Sequence, residues 1–475
     1  MSPVDDPRPV AVNSGNVSLL RGFRLIPPIE TYPAVVSFAQ TIVGKLTLLG
    51  VFGVGLWYAS PHWKLLLFLL AAVTALPQYR RIVLTLGTLI WAYGIWWRWT
   101  DHPLPMQAAI VFILAALLFW ASIRFRQSWF GRRPLASFLT GFALSVLIAS
   151  YLPRGGHIWT ASWDFLTVAG FYIWFIAYSL LDSSLKSHDP FPLQLGTFHP
   201  FWGSSHTPFV KGAAYLRRIE AHNPEQLAVA QLKGLKLLAW SLILDLFLNK
   251  AFLPVVHGHW GIPVYSDLFE LSARGASFPW YLGWASLISN FIESLARLSI
   301  SGHRTVAACR VAGFLALRNT YRPLQSRSIA EFWNRYYYYF KELLVDCFFY
   351  PTFMRYFKGY RRLRLFAATF AAACIGNSFY HFFRDLDYIQ NGGAWKALVG
   401  FDSYIFYSAV LAAGIGISQI RERRIENPGW IRAHLVTPFC VISFFCILSI
   451  FDYTNKRYPL QQCFQFLAHL LNVKS

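Results

Sequence analysis

Four polar side chains recur at helical spacing near the end of an apolar stretch. In "IGNSFYHFFRDLDYI" (375–389), Asn377, His381, Arg384 and Tyr388 are four, three and four residues apart, so an α-helix would carry them on one face. A neutral imidazole can take a proton from a weak nucleophile near neutral pH. An ionisable group inside a bilayer is costly and usually faces a bundle interior or a wet cavity. The spacing therefore predicts a stripe that contacts a polar molecule. One alternative is a buried His381 whose imidazole is hydrogen-bonded to a carbonyl or to Asn377. For Arg384, the alternative is a side chain that extends to the membrane interface without any further role.

A second polar stripe lies in "WASLISNFIESLARL" (284–298), where Ser286, Asn290, Glu293 and Arg297 share a helix face. Glu293 precedes Arg297 by four residues, which is the favourable order for an intrahelical ion pair. A structural pair is therefore the better interpretation than a catalytic one. Asp245 is a lone acid in another apolar run, and we expect it to pair with a Lys or Arg on a neighbouring helix.

The composition indicates a polytopic membrane protein. The chain has 475 residues, of which 55% are hydrophobic and 14% charged, whereas soluble proteins carry roughly a quarter charged residues. The mean hydropathy is +0.39. A spanning helix needs about 20 mostly apolar residues, and we predict an all-α fold of about eleven such helices with additional re-entrant or interfacial helices. The candidate spans lie near 38–59, 62–77, 82–98, 106–123, 135–152, 162–181, 233–254, 279–299, 363–383, 400–420 and 432–452.

The basic residues predict the orientation of the chain. The formal net charge of +21 comes from Lys and Arg that lie between apolar runs, which is the distribution that the positive-inside rule produces. With the N-terminus in the cytoplasm, clusters such as "QYRR" (78–81), "RYFKGYRRLR" (355–364) and "RERR" (421–424) fall on the inner side. Loops such as 384–399 fall outside. This pattern favours a multi-pass protein of the cell membrane that contacts anionic lipids, and it argues against a nucleic-acid partner.

Other sequence signals are sparse. The six cysteines form no CxxC pair, so we expect no disulfide framework and no metal site; "HGH" (257–259) alone is weak evidence for one. Residues 1–34 lack a short apolar core and a cleavage site, so the first span is expected to act as the insertion signal. The proline-rich 182–232 reads as an inner loop with short helices. The aromatic and basic 304–358 reads as a re-entrant or interfacial element, since irregular backbone at membrane depth must be buried in protein or line a cavity.

One stretch carries a resemblance to a known family. "LRNTYRPLQSRSIAEFWNRYYYYFKELLVDCFFYP" (317–351) resembles the core of the membrane-bound O-acyltransferase (MBOAT) family, particularly the bacterial branch that acylates alginate and teichoic acids. The family pattern is N-x-x-x-P followed by S-x-x-EFW-x-R, and then an Asp and a Pro in register. The residues that fit it in order are Asn319, Arg322, Pro323, Ser328, Glu331, Phe332, Trp333, Arg335, Asp346 and Pro351. His381 in "GNSFYHFF" is similar to the family's catalytic histidine, and the resemblance covers roughly 280–420.

The resemblance implies transfer of an acyl group to a hydroxyl inside a central tunnel. The donor would be an acyl-CoA or acyl-carrier-protein thioester arriving at the inner face, and the acceptor would be a glycan, lipid or small molecule, supplied from outside and in some cases through a partner protein. No bound cofactor and no metal would be needed. His381 would be the general base, with Asn334, Tyr337 and Asn377 as further catalytic residues. The substrate-binding residues would be Trp333, Arg335, Arg322, Arg384, Tyr380 and Asn319.

The chain also departs from the family pattern. Tyr337 replaces the family's His or Asn, and Asn334 lies one turn away. Tyr380 replaces the Trp before the catalytic His, and Phe382 replaces the Gly after it. Thr305 replaces an Asp of an upstream motif. Two other readings therefore stay open, a transporter or flippase and a catalytically inactive membrane scaffold.

The expected organisation has three parts. A cytoplasmic N-terminal segment (1–34) comes first, an acyltransferase-like transmembrane domain (35–455) follows, and an amphipathic tail (456–475) ends the chain.

Overall fold

The protein is helical throughout the part that the structure describes. The computed structural model describes residues 25–99, 104–197, 211–384, 386–421, 429–452 and 458–473. Helix accounts for 81% of it, and no strand occurs in these ranges. Most of the predicted N-terminal segment lies outside the described residues, as do 422–424 of the basic cluster at 421–424.

The first half of the chain forms mostly apolar helices. They are α1 (Pro33–Gln40), α2 (Ile42–Ala59), α3 (Trp63–Ala75), α4 (Arg80–Trp99), α5 (Leu104–Arg124), α6 (Trp129–Arg132), α7 (Pro134–Ser150), α8 (His157–Ser183), α9 (Phe191–Gln194) and α10 (Ala213–Ile219). Short helices α9 and α10 fall in 182–232, where an inner loop with short helices was predicted.

The second half carries the predicted site. Its helices are α11 (Pro224–Leu246), α12 (Tyr265–Ala273), α13 (Trp280–Val311), α14 (Ile329–Tyr336), α15 (Tyr338–Leu344), α16 (Tyr350–Arg355), α17 (Arg361–Phe370), α18 (Asn377–Arg384), α19 (Leu386–Gly392), α20 (Ala394–Val399), α21 (Asp402–Ile420), α22 (Thr437–Leu448) and α23 (Leu460–Leu470). Segments of π-helix extend or join several of them, namely Phe247–Phe252, Pro254–His259, Val345–Phe349, Ala371–Gly376 and Arg432–Val436.

Fewer helices than the predicted eleven have the length and composition of a membrane span. Within the described residues, five do, and six if one bent pair counts as a span. The five are Ile42–Ala59, His157–Ser183, Pro224–His259, Asp402–Ile420 and Arg432–Phe451. Two further predicted spans are shorter apolar helices, Ala109–Arg124 and Pro134–Ser150. The long apolar helices are those of a membrane-embedded protein, and a count of eleven stays a prediction.

The bent pair covers parts of two predicted spans. Trp63–Ala75 and Pro77–Ile90 meet at an angle of 108°. Leu76 between them has non-helical dihedral angles (φ −120°, ψ 61°), because a proline restricts the residue before it and lacks the N–H that would continue the helix. The segments predicted as spans at 62–77 and 82–98 are therefore separated by a sharp bend, which fits either a broken span or a re-entrant loop.

Two helices that carry the polar stripes are outside the set of apolar spans. Charged and amide side chains lower the hydropathy of α13 and of the continuous helical segment 361–384. In α13, Arg297 Nη2 lies 2.6 Å from Glu293 Oε1, which confirms the predicted ion pair. Asp245 on α11 pairs with a basic residue of a neighbouring helix, as predicted: its Oδ2 lies 3.4 Å from Arg304 Nη2.

Tight packing holds the site helices together. The side chains of α8, α15 and α18 share one core that includes the buried Trp174, Phe340 and Tyr380. Lipid tails are as apolar as these side chains, so helices in a bilayer associate through close packing and polar contacts rather than through hydrophobic transfer. The six cysteines are free thiols.

Candidate functional site

His381 lies inside a ring of aromatic side chains. Its imidazole centroid is 4.6 Å from Tyr404, 5.0 Å from Tyr380 and 5.8 Å from Phe340. The side chain is half-buried, yet its Nδ1 is buried and makes no hydrogen bond within the described residues. A buried polar atom without a partner costs about 1–3 kcal/mol. An arrangement of this kind is typical of a side chain that meets a ligand or an ordered water.

Asn377 does not satisfy the histidine. It is 1% exposed, its Oδ1 accepts a hydrogen bond of 3.2 Å from the Tyr404 hydroxyl, and its Nδ2 donates one of 3.3 Å to Ser408 Oγ. These bonds tie α18 to α21, one turn below His381. Asn377 therefore positions Tyr404 against the imidazole, and one of the alternatives for His381, satisfaction by Asn377, is not what the structure contains.

Aromatic contacts connect the histidine to the motif around Trp333. Tyr380 packs on Trp174 with ring centroids 5.1 Å apart and on Phe340 at 4.7 Å. Phe340 in turn contacts Trp333 at 6.2 Å and Tyr337 at 5.3 Å. Phe340 thus joins two groups of predicted site residues, with Trp333 and Tyr337 on one side and Tyr380 and His381 on the other.

Local sequence rules explain how Trp333 is presented. Ser328 caps α14 by accepting a 3.0 Å hydrogen bond from the Glu331 N–H, and Glu331 Oε2 accepts one of 2.6 Å from the Arg327 N–H; this is close to a capping box. Tyr337 then interrupts the helix with non-helical dihedral angles (φ −138°, ψ 75°). The break redirects α15 so that Phe340 faces Trp333.

A cavity of about 150 Å³ lies beside the motif. Its lining includes Trp333, exposed Asn334, Lys341, Thr369 and Gln419. Thr369 Oγ1 donates a 2.7 Å hydrogen bond to Gln419 Oε1, which links α17 to the end of α21. Under the predicted topology this end faces the cytoplasm.

Two further cavities share Asp387 as a lining residue. One of about 60 Å³ is lined by Trp174, Tyr380, Arg384 and Asp387 among others. Asp387 also lines a groove of about 620 Å³ formed by α19 and α20, together with Asn391 and other residues. Tyr380, which contacts His381, therefore also borders the smaller cavity, and Asp387 lines both that cavity and the groove.

Three residues that the resemblance predicts to bind substrate have local structural contacts. Asn319 is 0% exposed, and its main-chain oxygen and Oδ1 accept hydrogen bonds from the N–H groups of Tyr338 (2.9 Å) and Tyr339 (3.3 Å). Arg335 pairs with Glu331 at 2.5 Å and donates to the Arg322 carbonyl at 3.4 Å. The exposed Arg322 adopts a left-handed backbone (φ 49°). Within the described chain, these contacts fasten 317–338 to itself rather than to His381.

The sequence reasoning missed Tyr404, Phe340 and a buried ionic cluster. Lys211 Nζ lies 2.8 Å from both Glu342 Oε2 and Asp346 Oδ2, and so anchors the segment after α15. Burial raises the pKa of Asp346 although Lys211 opposes the change. Burial acts on Glu342 in the same direction, but Lys341 and Lys211 outweigh it and its pKa is lowered. The four-residue spacing of Tyr404 and Ser408 is the signal that would have revealed the partner helix of Asn377.

Comparisons with known proteins leave the family open. No protein-family model matches the chain, and no curated protein matches it either. Within the described residues, no group of three or more His, Cys, Asp or Glu side chains could hold a metal ion.

Proposed function

We propose that the chain is a membrane-embedded O-acyltransferase that moves an acyl group from a thioester to a hydroxyl, with His381 as general base. The observation that carries the proposal is the half-buried His381 ring with its unpartnered Nδ1, enclosed by aromatic side chains that lead to Trp333. The resemblance of 317–351 to the O-acyltransferase core supports it from the sequence.

The chemistry needs a base and a donor of hydrogen bonds. A hydroxyl is a poor nucleophile until its proton is removed, and a positioned imidazole contributes about 10²–10⁴-fold to such steps. His381 takes the hydroxyl proton as the oxygen attacks the thioester carbonyl carbon. The tetrahedral oxyanion then collapses, the C–S bond breaks, and the leaving thiolate takes the proton from the imidazolium. Tyr337 and Asn334 are the proposed donors to the oxyanion, since Asn377 is occupied by Tyr404 and Ser408.

The cavities suggest separate routes for the two substrates. The 150 Å³ cavity beside Trp333, Asn334 and Lys341 is the proposed donor site at the cytoplasmic end. The cavity and groove that share Asp387 form the proposed acceptor route from the opposite side. Arg384 borders this route and would favour an acceptor that carries negative charge.

A transfer assay tests the proposal. Membranes that contain the wild type or His381→Ala are incubated with acetyl-CoA or palmitoyl-CoA labelled in the acyl group. Product is then counted as labelled acyl groups in the lipid and polymer fractions of the envelope that thiols do not release. We expect the variant to lose about 10²-fold or more of the transfer at matched protein levels. The matched control is His434→Ala, because His434 is exposed and stacks on Trp430 outside the site.

Two results would contradict the proposal. Equal transfer by the wild type and His381→Ala would show that His381 is not the general base. A wild type that transfers neither acyl group, but whose variant changes the uptake of a solute or lipid into vesicles, would favour the transporter reading instead.

A further inference from the structure

A cluster of cations lies where the first half of α11 meets the end of α13. Lys233 on α11, Arg310 on α13 and Arg318 on the segment that follows α13 are its members. Arg310 Nη1 donates a 3.4 Å hydrogen bond to the Lys233 carbonyl, and its Nε and Nη2 donate to the Ala316 carbonyl at 2.9 Å and 2.7 Å. The guanidinium of Arg310 is therefore fixed by the backbone of the other two segments, and Lys233 and Arg318 are each close enough to interact electrostatically with Arg310.

These cations have no carboxylate partner in the described chain. Neither Lys233 nor Arg318 makes a side-chain hydrogen bond or ion pair there, and all three side-chain bonds of Arg310 go to carbonyl oxygens. Glu30 is the carboxylate that interacts electrostatically with all three cations, and its hydrogen bond and ion pair come from Lys236. Four cations thus face one carboxylate. Burying more positive charge than the nearby carboxylate balances is costly, and Arg310 is only 8% exposed.

Two buried polar side chains beside the cluster are also incompletely satisfied. His303 and Arg310 are seven residues apart on α13 and so share a face. His303 is 7% exposed and its Nδ1 makes no hydrogen bond among the described residues. Asn319 is 0% exposed and its Nδ2 lacks a partner in the same way. Burial, followed by the charges of Arg318 and Arg310, lowers the pKa of His303 to about 3, so the imidazole adds no charge to the cluster.

The segment that carries Arg318 is firmly placed. Leu315 N–H donates to the Ile219 carbonyl at 2.8 Å, Tyr339 OH donates to the Leu317 carbonyl at 2.9 Å, and Thr320 Oγ1 donates to the Tyr336 carbonyl at 2.9 Å. Arg318 and Lys233 are half-buried, so both remain reachable from outside. A preorganised cation that can still meet solvent is suited to binding a ligand rather than to closing a fold.

We infer that Lys233, Arg310 and Arg318, with His303 and Asn319 beside them, form a binding site for a phosphate group. Arg guanidinium groups bind phosphate oxygens through paired hydrogen bonds, and Lys adds a point charge. The phosphate can belong to an anionic lipid headgroup or to a soluble phosphate ester. Leu317, Tyr321 and Leu324 are about half exposed next to Arg318, which places apolar surface beside the charges, as at a lipid interface. The inference does not depend on the acyltransferase proposal.

A binding measurement separates the two sources of phosphate. Full-length protein in neutral detergent is titrated with fluorescent phosphatidylglycerol, with phosphatidylcholine as the uncharged comparison, and the bound lipid is then competed with ADP or inorganic phosphate. We expect tight binding of phosphatidylglycerol to the wild type, and a Kd about tenfold higher in Lys233→Gln and in Arg318→Gln, because each loses a hydrogen bond to a charged group. Arg318→Lys keeps the charge but loses the paired hydrogen bonds, so its affinity should lie between those of the wild type and Arg318→Gln.

The control is Arg274→Gln, which removes an exposed cation that pairs with Glu270 at 3.5 Å, and it should bind as the wild type does. Competition by ADP in the wild type identifies a soluble phosphate ester as a second ligand, whereas lipid binding without competition assigns the site to a headgroup. Equal affinity of the wild type and the Lys233→Gln/Arg318→Gln double variant, or no preference for either phosphate probe over phosphatidylcholine, would overturn the inference. Elution volume and unfolding temperature verify that each variant is folded.

Discussion

At the scale of single residues, the geometry around His381 depends on a polar bridge between two helices. Asn377 uses its carbonyl oxygen for Tyr404 and its amide for Ser408, and the tyrosine ring lies 4.6 Å from the imidazole. An imidazole that acts as a base needs a fixed orientation, since small displacements of a reacting group are costly. The bridge is therefore a positioning element rather than a reacting group.

Asn377→Leu should destabilise the protein more than Ser408→Ala does. The leucine leaves the buried Tyr404 hydroxyl and Ser408 without partners, at about 1–3 kcal/mol each. Ser408→Ala leaves only one donor of Asn377 unpaired and should cost about 1 kcal/mol. The free energy of unfolding, measured by denaturant titration in mixed micelles, distinguishes the two. Equal stability of the wild type and Asn377→Leu would show that the bridge is not formed.

Prediction of single residues from the sequence succeeded where the interaction follows from the sequence of one helix. The Glu293–Arg297 pair follows from spacing alone, and a lone intramembrane acid such as Asp245 requires a cation nearby. It could not identify Arg304 as that cation or Tyr404 as the neighbour of His381, because both depend on how separate helices pack. Asn319 matches the family motif, but its two hydrogen bonds to the start of α15 give it a structural reason that the motif did not reveal.

At the scale of elements, two π-helical segments meet next to the site. Val345–Phe349 and Ala371–Gly376 pack against each other, and the second leads directly into α18 with His381. Each π segment adds a residue to a helical turn and so re-aims the side chains that follow, which is why such segments are frequent at functional sites. Gly376 permits the contact, since a Cβ there would lie 2.6 Å from the Phe348 ring.

Gly376→Ala should force these two segments apart. Overpacking of a close contact costs about 1–3 kcal/mol, and the shift should also lower acyl transfer because His381 follows within two turns. Phe348→Ala combined with Gly376→Ala makes room for the new methyl group and should recover part of the stability relative to the sum of the single variants.

The matched control for this change is Gly50→Ala, because a Cβ at Gly50 meets no atom within 4 Å. It should be neutral or slightly stabilising, since Ala favours a helix more than Gly does. Unfolding temperatures of the four variants in detergent give the comparison. Additive effects of Gly376→Ala and Phe348→Ala would contradict the steric explanation.

Elements were predicted well in kind and less well in number. Long apolar runs became helices because a bilayer leaves no other way to satisfy the backbone. Two spans are predicted at 62–77 and 82–98, and the bend of 108° that separates the helices near Pro77 is a feature that hydropathy does not report. The polar stripes lower the mean hydropathy of α13 and of the helical segment 361–384. From composition alone, a spanning helix with a polar stripe cannot be distinguished from a helix that does not span the membrane.

At the scale of the whole molecule, the proposed chemistry requires that the two substrate routes open on opposite sides of the membrane. The cavity beside Trp333 contacts the end of α21 near Gln419, whereas the groove lined by Asp387 includes Gly400, just before the start of α21. The 19 residues of α21 span about 29 Å at 1.5 Å per residue, which is close to the thickness of the hydrocarbon core. The side that each end faces rests on the positive-inside prediction.

Labelling of introduced cysteines tests that orientation. In a chain whose exposed Cys440 is replaced by Ser, Trp395→Cys and Tyr360→Cys report on the two ends, because Trp395 is 76% and Tyr360 71% exposed. The basic cluster at 355–364 predicts that Tyr360 faces the cytoplasm, and the loop 384–399 predicts that Trp395 faces outward. A membrane-impermeant maleimide should therefore label Trp395→Cys in intact cells, and Tyr360→Cys only after the membrane is permeabilised. The reverse pattern would place the thioester cavity outside, where acyl-CoA is absent, and the proposed donor would have to be abandoned even if His381 proved essential.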